Sequence, residues 1–246
     1  MTVQITFLGS GDAFGSGGRL QTCILVKGER TQFLVDCGAS ALISMRRFQV
    51  DPNAIEMILL SHLHGDHFGG LPFFILDAQF ISKRTHPLVI AGPPGTQKRV
   101  TELMEVTFPG SSRVPRKFSV ELVEMEPEHP RALGEVTVTP YEVQHPSGDP
   151  SLALRIECEG KIITYSGDTE WTDALVPAAR DADLFITEAY VFEKKIKYHM
   201  DFQTLMARLD DLRPRRLIIT HMSQDMLARL DTLPCEYAED GMVIEL

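Results

Sequence analysis

Apolar and polar residues alternate from the start of the chain, in "VQITFLG" (3–9), with the two-residue period of a half-buried strand. Two denser apolar runs, "TCILVKG" and "TQFLVDCG", flank Gly28-Glu29-Arg30 and predict a hairpin. Beyond it the pattern predicts a helix over 39–48, a strand over 56–60, and helical spacing again in "FGGLPFFILDAQFIS". A strand over 87–92 and a helix over 95–106 follow, and "FPGSSRVPRK" (108–117) interrupts the pattern with turn-forming residues. Strands are expected over 118–123, 135–143, 151–158 and 161–166. From there helices over 171–180, 201–211 and 223–230 alternate with strands over 183–187 and 215–220, before a closing "MVIEL".

The two halves echo each other. "VKGERTQFLVDCG" carries Asp36 eight residues after Gly28, and "IECEGKIITYSGD" carries Asp168 eight residues after Gly160. "ILLSH" ends on His62 and "LIITH" on His221. Two echoes in the same order point to a duplicated β/α unit, hence two sheets face to face with helices outside. We therefore expect one α/β domain over 1–246, with its halves meeting near 108–117.

Composition narrows the function. A chain of 246 residues can bury a sizeable core. Its formal net charge of −10 argues against broad binding to nucleic acid phosphates, though not against a small phosphorylated ligand held by a local cation. No apolar run is long enough to span a bilayer, so no membrane partner is expected. The N-terminal stretch lacks a basic segment followed by an apolar one. Cys23, Cys37, Cys158 and Cys235 form no CxxC pair, which excludes a thiolate zinc knuckle. A cytoplasmic setting fits these thiols best.

The chemistry begins at "SHLHGDHFGG" (61–70), where three imidazoles and one carboxylate fall within six positions. In extended backbone, residues two apart point the same way, so His62 and His64 converge. Gly65 is expected to let the chain bend back, bringing Asp66 and His67 to the same place. Such nitrogen and oxygen donors suit Zn²⁺, with Mn²⁺ and Fe²⁺ as alternatives. A helix cap explains Asp66 alone, not the set. Further donors stand at strand ends: His145 in "YEVQHPSGD", Asp168 in "TYSGDT" and His221 in "LIITHMS".

These residues resemble the metallo-β-lactamase superfamily of hydrolases, whose HxHxDH signature matches His62, His64, Asp66 and His67. The family's later single His, bridging Asp and final His match His145, Asp168 and His221, so the resemblance covers nearly the whole chain. It implies a four-layer αβ/βα sandwich with two divalent metal ions. One would be held by His62, His64, His145 and Asp168, the other by Asp66, His67, Asp168 and His221. It also implies that Asp36 orients the histidine cluster. Ser61 and Thr220 are further candidates for that supporting role.

Among branches, His67 and Asp168 are similar to two-metal phosphodiesterases rather than to true β-lactamases. "SGDT", "TEAYVFEKKIKYHMDFQTL" and "LIITHMS" resemble ribonuclease Z and small cyclic-phosphate phosphodiesterases. Thr187-Glu188-Ala189-Tyr190 departs from the ribonuclease Z motif, while His199 matches its downstream histidine. No glycine-rich basic arm for gripping tRNA is visible, so tRNA is not the favoured substrate. The expected reaction is hydrolysis of a small anionic, nucleotide-like phosphodiester by a hydroxide held between the metals. Asp66 would orient or deprotonate that nucleophile, His199 would protonate the leaving group, and Glu188 would orient His199. A basic rim of Arg19, Lys194, Lys195 and Lys197 would help draw in the anion, and exposed lysines on a solvated loop are the favoured alternative reading. The competing readings are a lactonase or other carboxylic-ester hydrolase, a ribonuclease Z-type endonuclease, and a non-catalytic metal-binding protein. Relatives commonly form homodimers, and no sequence feature decides this.

Overall fold

Fourteen strands, among the described residues, order themselves into two mixed seven-stranded sheets. They are β1 (Gln4–Gly9), β2 (Cys23–Lys27), β3 (Gln32–Val35), β4 (Met57–Leu59), β5 (Leu88–Gly92), β6 (Val120–Glu124) and β7 (Arg131–Leu133), then β8 (Val136–Val143), β9 (Ser151–Cys158), β10 (Lys161–Tyr165), β11 (Leu184–Glu188), β12 (Leu217–Thr220), β13 (Glu236–Tyr237) and β14 (Val243–Glu245). The structure, a computed structural model, describes residues 2–147 and 150–246.

One sheet runs β14-β1-β2-β3-β4-β5-β6 and the other β13-β12-β11-β10-β9-β8-β7. From β1 to β6 the pairings are antiparallel twice and then parallel three times, and β8 to β13 repeat that succession. Both faces of each sheet are buried, which the two-residue period of a strand makes visible. Phe7, Phe33, Leu59, Ile186 and Ile218 fill the space between the sheets. Their neighbours Leu8, Leu34 and Ile58 face outward, under α1 (Ala41–Arg47), α3 (Leu71–Phe80) and α4 (Thr96–Thr107). Phe185 and Ile219 pack likewise with α5 (Leu175–Ala179), α6 (Phe202–Ala207) and α8 (Gln224–Leu227). The result is the four-layer αβ/βα sandwich.

The echoes seen in sequence lie out of register with this symmetry. The β2–β3 turn spans residues 28–31 and the β9–β10 turn only 159–160. Asp36 therefore matches Ser166 rather than Asp168. Each donates its amide to the neighbouring parallel strand, Asp36 to Leu59 O at 2.8 Å and Ser166 to Ile186 O at 3.0 Å. His62 follows β4, whose counterpart is β11, whereas His221 follows β12, the counterpart of β5. The loop at 108–117 precedes β6, still in the first sheet, and the chain crosses to the second sheet over 125–130.

Most expected elements are present with trimmed ends. The helix expected over 201–211 is split, because Arg208 leaves helical geometry between α6 and α7 (Leu209–Leu212). The edge strands β7 and β13 are too short to show a period.

Candidate metal centre

Strand ends at one edge of the sandwich bring the candidate residues together, as is usual for sites at the carboxyl ends of parallel strands. Asp36 follows β3, Ser61 and His62 follow β4, His145 follows β8, Asp168 follows β10, Glu188 ends β11 and His221 follows β12. The one-turn α2 (Gly65–Phe68) supplies Asp66 and His67. Gly65 has an ordinary helical backbone and open space around it, so it is not the hinge its position suggested. The backbone constraint lies at Gly70 instead. A Cβ there would sit 2.3 Å from the Gly38 carbonyl oxygen, which lets the Asp36–Gly38 turn dock on the histidine motif.

Two donor sets result. Ligand-type atoms of His62, His64 and His145 lie within 4.8 Å of one another, and so do those of Asp66, His67, Asp168 and His221. Asp168 stands between the sets. Its Oδ1 is 3.3 Å from His67 Nε2, and its Oδ2 is 3.4 Å from His221 Nε2 and 3.9 Å from both His62 Nε2 and His145 Nε2. Asp66 Oδ2 is 3.2 Å from both His67 Nε2 and His221 Nε2.

Hydrogen bonds around the cluster fix how its rings present their nitrogens. Asp36 Oδ1 accepts the Ser61 amide, and its Oδ2 accepts both the Ser61 hydroxyl at 2.8 Å and His67 Nδ1–H at 2.7 Å. With its proton given to Asp36, Ser61 Oγ accepts from His62 Nδ1 at 3.0 Å. His145 Nδ1 donates to the Tyr198 carbonyl at 3.0 Å. In His62 and His145 the lone pair is thereby left on Nε2, facing the cluster, and the bond to Asp36 aims His67 Nε2 the same way. His62 Nε2 and Asp168 Oδ1 are buried without a hydrogen-bond partner among the described residues. Orphaned acceptors in a buried ring of imidazoles and carboxylates fit divalent cations.

Charges inside this group are strongly coupled. Burial alone would raise Asp168, but His221 and His67 hold it well below the usual carboxylate range. Burial resists protonation of His221, yet Asp168 and the bond to Asp66 raise it to about 9. Burial pushes His145 down to about 4. Burial also pushes Glu188 up, to about 7, with the Asp168 charge adding to it.

Glu188 and His199 form a pair beside the cluster: His199 Nδ1 lies 2.9 Å from Glu188 Oε2, while Glu188 Oε1 accepts the Thr169 amide. His199 rides on a loop closed by Tyr190 N to Met200 O and Phe202 N to Val191 O, both hydrogen bonds. Glu170 pins the loop through the Tyr198 amide at 2.7 Å. The His199 ring lies 5.0 Å from that of His145 and 4.7 Å from that of Tyr190. The supporting parts of Tyr190, Tyr198 and Glu170 were not foreseen; Tyr190, two positions beyond Glu188, was the only one with a sequence signal.

Three other expectations change. Arg19 is mostly buried, bonded to Ser10 Oγ and the Ala238 carbonyl with Glu239 nearby, so it clasps chain segments instead of lining a rim. Lys195, though exposed, is paired with Asp201 at 2.6 Å, which leaves Lys194 and Lys197 as the exposed cations of that loop with no ion-pair partner among the described residues. Thr220 donates to the Ser10 carbonyl and reaches no histidine.

A family model described as "Anti-Pycsar protein Apyc1" matches residues 3–241. The chain belongs to that family. It is 28% identical to a ribonuclease Z of Methanosarcina acetivorans over 90% of this chain and 88% of that one. Among solved structures, the metallo-β-lactamase fold protein YhfI from Bacillus subtilis matches across the full length of both chains with a TM-score of 0.80 and 21% identity. Human tRNase Z, short form, matches over 98% of each chain with a TM-score of 0.75 and 26% identity. The fold of this Apyc1-family chain is thus the metallo-β-lactamase fold, with ribonuclease Z-like proteins among its relatives.

Proposed function

We propose that this chain is a two-metal phosphodiesterase acting on a small, nucleotide-like phosphodiester. The observation that carries this reading is Asp168, one carboxylate lying between a set of three histidines and the donors Asp66, His67 and His221. His62, His64, His145 and Asp168 would hold one cation, and Asp66, His67, Asp168 and His221 the other; Zn²⁺ suits the donors best, with Mn²⁺ and Fe²⁺ as alternatives. Such a pair supplies Lewis acidity and lowers the pKa of water to about 7.

The chain's own residues do the rest. Asp36 and Ser61 keep the ring nitrogens of His62 and His67 aimed inward. Asp66 orients the attacking water. His199 gives a proton to the departing alkoxide, and Glu188 orients its ring and supports its protonated form. A cavity of about 270 Å³ beside His199, lined by Trp171, Ile196 and Lys197 among others, suits a leaving group of modest size. The ribonuclease Z similarity supports phosphodiester chemistry.

The test is to load the protein with metal, count bound ions, and compare turnover of an aryl phosphodiester, a homoserine-type lactone and precursor tRNA. Two ions per chain with phosphodiester turnover is expected. Lactone cleavage without it refutes the reading, and turnover confined to precursor tRNA transfers it to a ribonuclease Z-type endonuclease.

A further inference from the structure

At the end of α3 remote from the histidine motif lies a cavity of about 410 Å³, closed on its other side by the segment leading into β6. Its walls include Gln79, Phe80, Lys83, Arg84, Lys117 and Phe118. Three of these carry positive charge and no lining residue is acidic, in a chain whose net charge is −10. Neither Lys83 nor Lys117 has an ion-pair partner among the described residues, so both charges are open to a ligand.

The remaining walls are equally specific. Arg84 is buried and donates to the carbonyls of Pro52, His86 and Pro87, so its charge is held in place without a neutralising carboxylate bond. Gln79 Nε2 reaches the Pro115 carbonyl at 3.4 Å, while its Oε1 is buried with no hydrogen-bond partner among the described residues. Phe80 is 53% exposed and Phe118 is buried, giving the cavity aromatic faces. Lys83 has a φ of +53°, in the left-handed region that glycine favours.

We propose that this cavity is a second binding site, for a small aromatic anion. The anionic group would lie between Lys83 and Lys117, the ring against Phe80 and Phe118, and a donor of the ligand on Gln79 Oε1. The volume falls within the range of small-molecule sites and is too small for a macromolecular segment to enter whole. The site shares no residue with the candidate metal centre, and α3 joins the two: it starts at Leu71, next to the motif, and ends at Phe80.

The probe is 8-anilinonaphthalene-1-sulfonate, titrated by fluorescence into the metal-loaded protein, with neutral N-phenyl-1-naphthylamine in parallel. One saturable sulfonate site per chain is expected. Lys83→Glu combined with Lys117→Glu should weaken the sulfonate by about tenfold or more and leave the neutral probe unchanged. Phe80→Ala should weaken both probes, and Lys117→Glu alone provides a milder variant should the pair fail to fold. Unchanged sulfonate affinity in the lysine variants overturns the proposal. So does a sedimentation coefficient that drops in them, which would make this face a contact between copies of the chain.

Discussion

Asp36 Oδ2 lies 2.7 Å from His67 Nδ1, and both side chains are completely buried. Asp36 reaches this position because its φ is +59°, which turns its carboxylate back over the histidine motif. Replacing it by alanine leaves the Ser61 hydroxyl and the His67 ring without their acceptor. We expect Asp36→Ala to cost about 3 kcal/mol of stability and to lower metal affinity roughly 10–100-fold. Thermal melts in the presence of a chelator and competition with a chromophoric chelator separate the two effects; wild-type metal affinity would remove Asp36 from the orienting role.

Metal uptake should release protons. His221, raised from 6.5 to about 9 by Asp168 and Asp66 against the opposing effect of burial, is protonated in the metal-free protein at neutral pH. Its raised folded pKa stabilises that metal-free form fully below about pH 6.5, and the contribution fades as pH rises through about 9. A cation must displace this proton, so affinity should climb with pH until about 9. Calorimetric titration of zinc at pH 7.5 in two buffers of different ionisation enthalpy measures the release. Equal heats in both buffers would contradict it.

His199→Ala should keep both metals and slow substrates with poor leaving groups by roughly 10²–10⁴-fold, while an activated aryl ester is slowed far less. Glu188→Gln should reproduce part of the same selectivity, since it weakens the bond that orients the ring. Equal slowing of both ester types would count against proton donation by His199.

Two glycines of one motif should respond oppositely to alanine. Gly70→Ala places a Cβ 2.3 Å from the Gly38 carbonyl oxygen, and overpacking of this kind costs about 1–3 kcal/mol. Gly65→Ala meets open space on a helical turn and should be neutral or slightly stabilising, by up to about 1 kcal/mol. Melting temperatures of the two variants in chelator test the ordering.

The site was more legible in the sequence than its scaffolding. His62, His64, Asp66 and His67 are adjacent in the chain, and His145, Asp168 and His221 each stand where an apolar run stops, so strand periodicity alone points at them. The sheet symmetry was half visible. Apolar strands resemble one another regardless of register, which let "ILLSH" be matched with "LIITH" although β4 and β12 are not counterparts. Arg19 and Lys195 read as free cations because their partners, Ala238 and Glu239 for one and Asp201 for the other, are defined only by tertiary contact. The Tyr198 carbonyl that orients His145 is a backbone atom and carries no residue signal.

The pairing of β14 with β1 has a consequence for biogenesis. Ile5 is aligned with Ile244, so the outer edge of the first sheet stays bare until residues 243–245 have emerged from the ribosome. His221, too, arrives long after the histidine motif has been synthesised. A nascent chain therefore carries the four clustered donors of the histidine motif without their remaining partners until the segment holding His221 has been made.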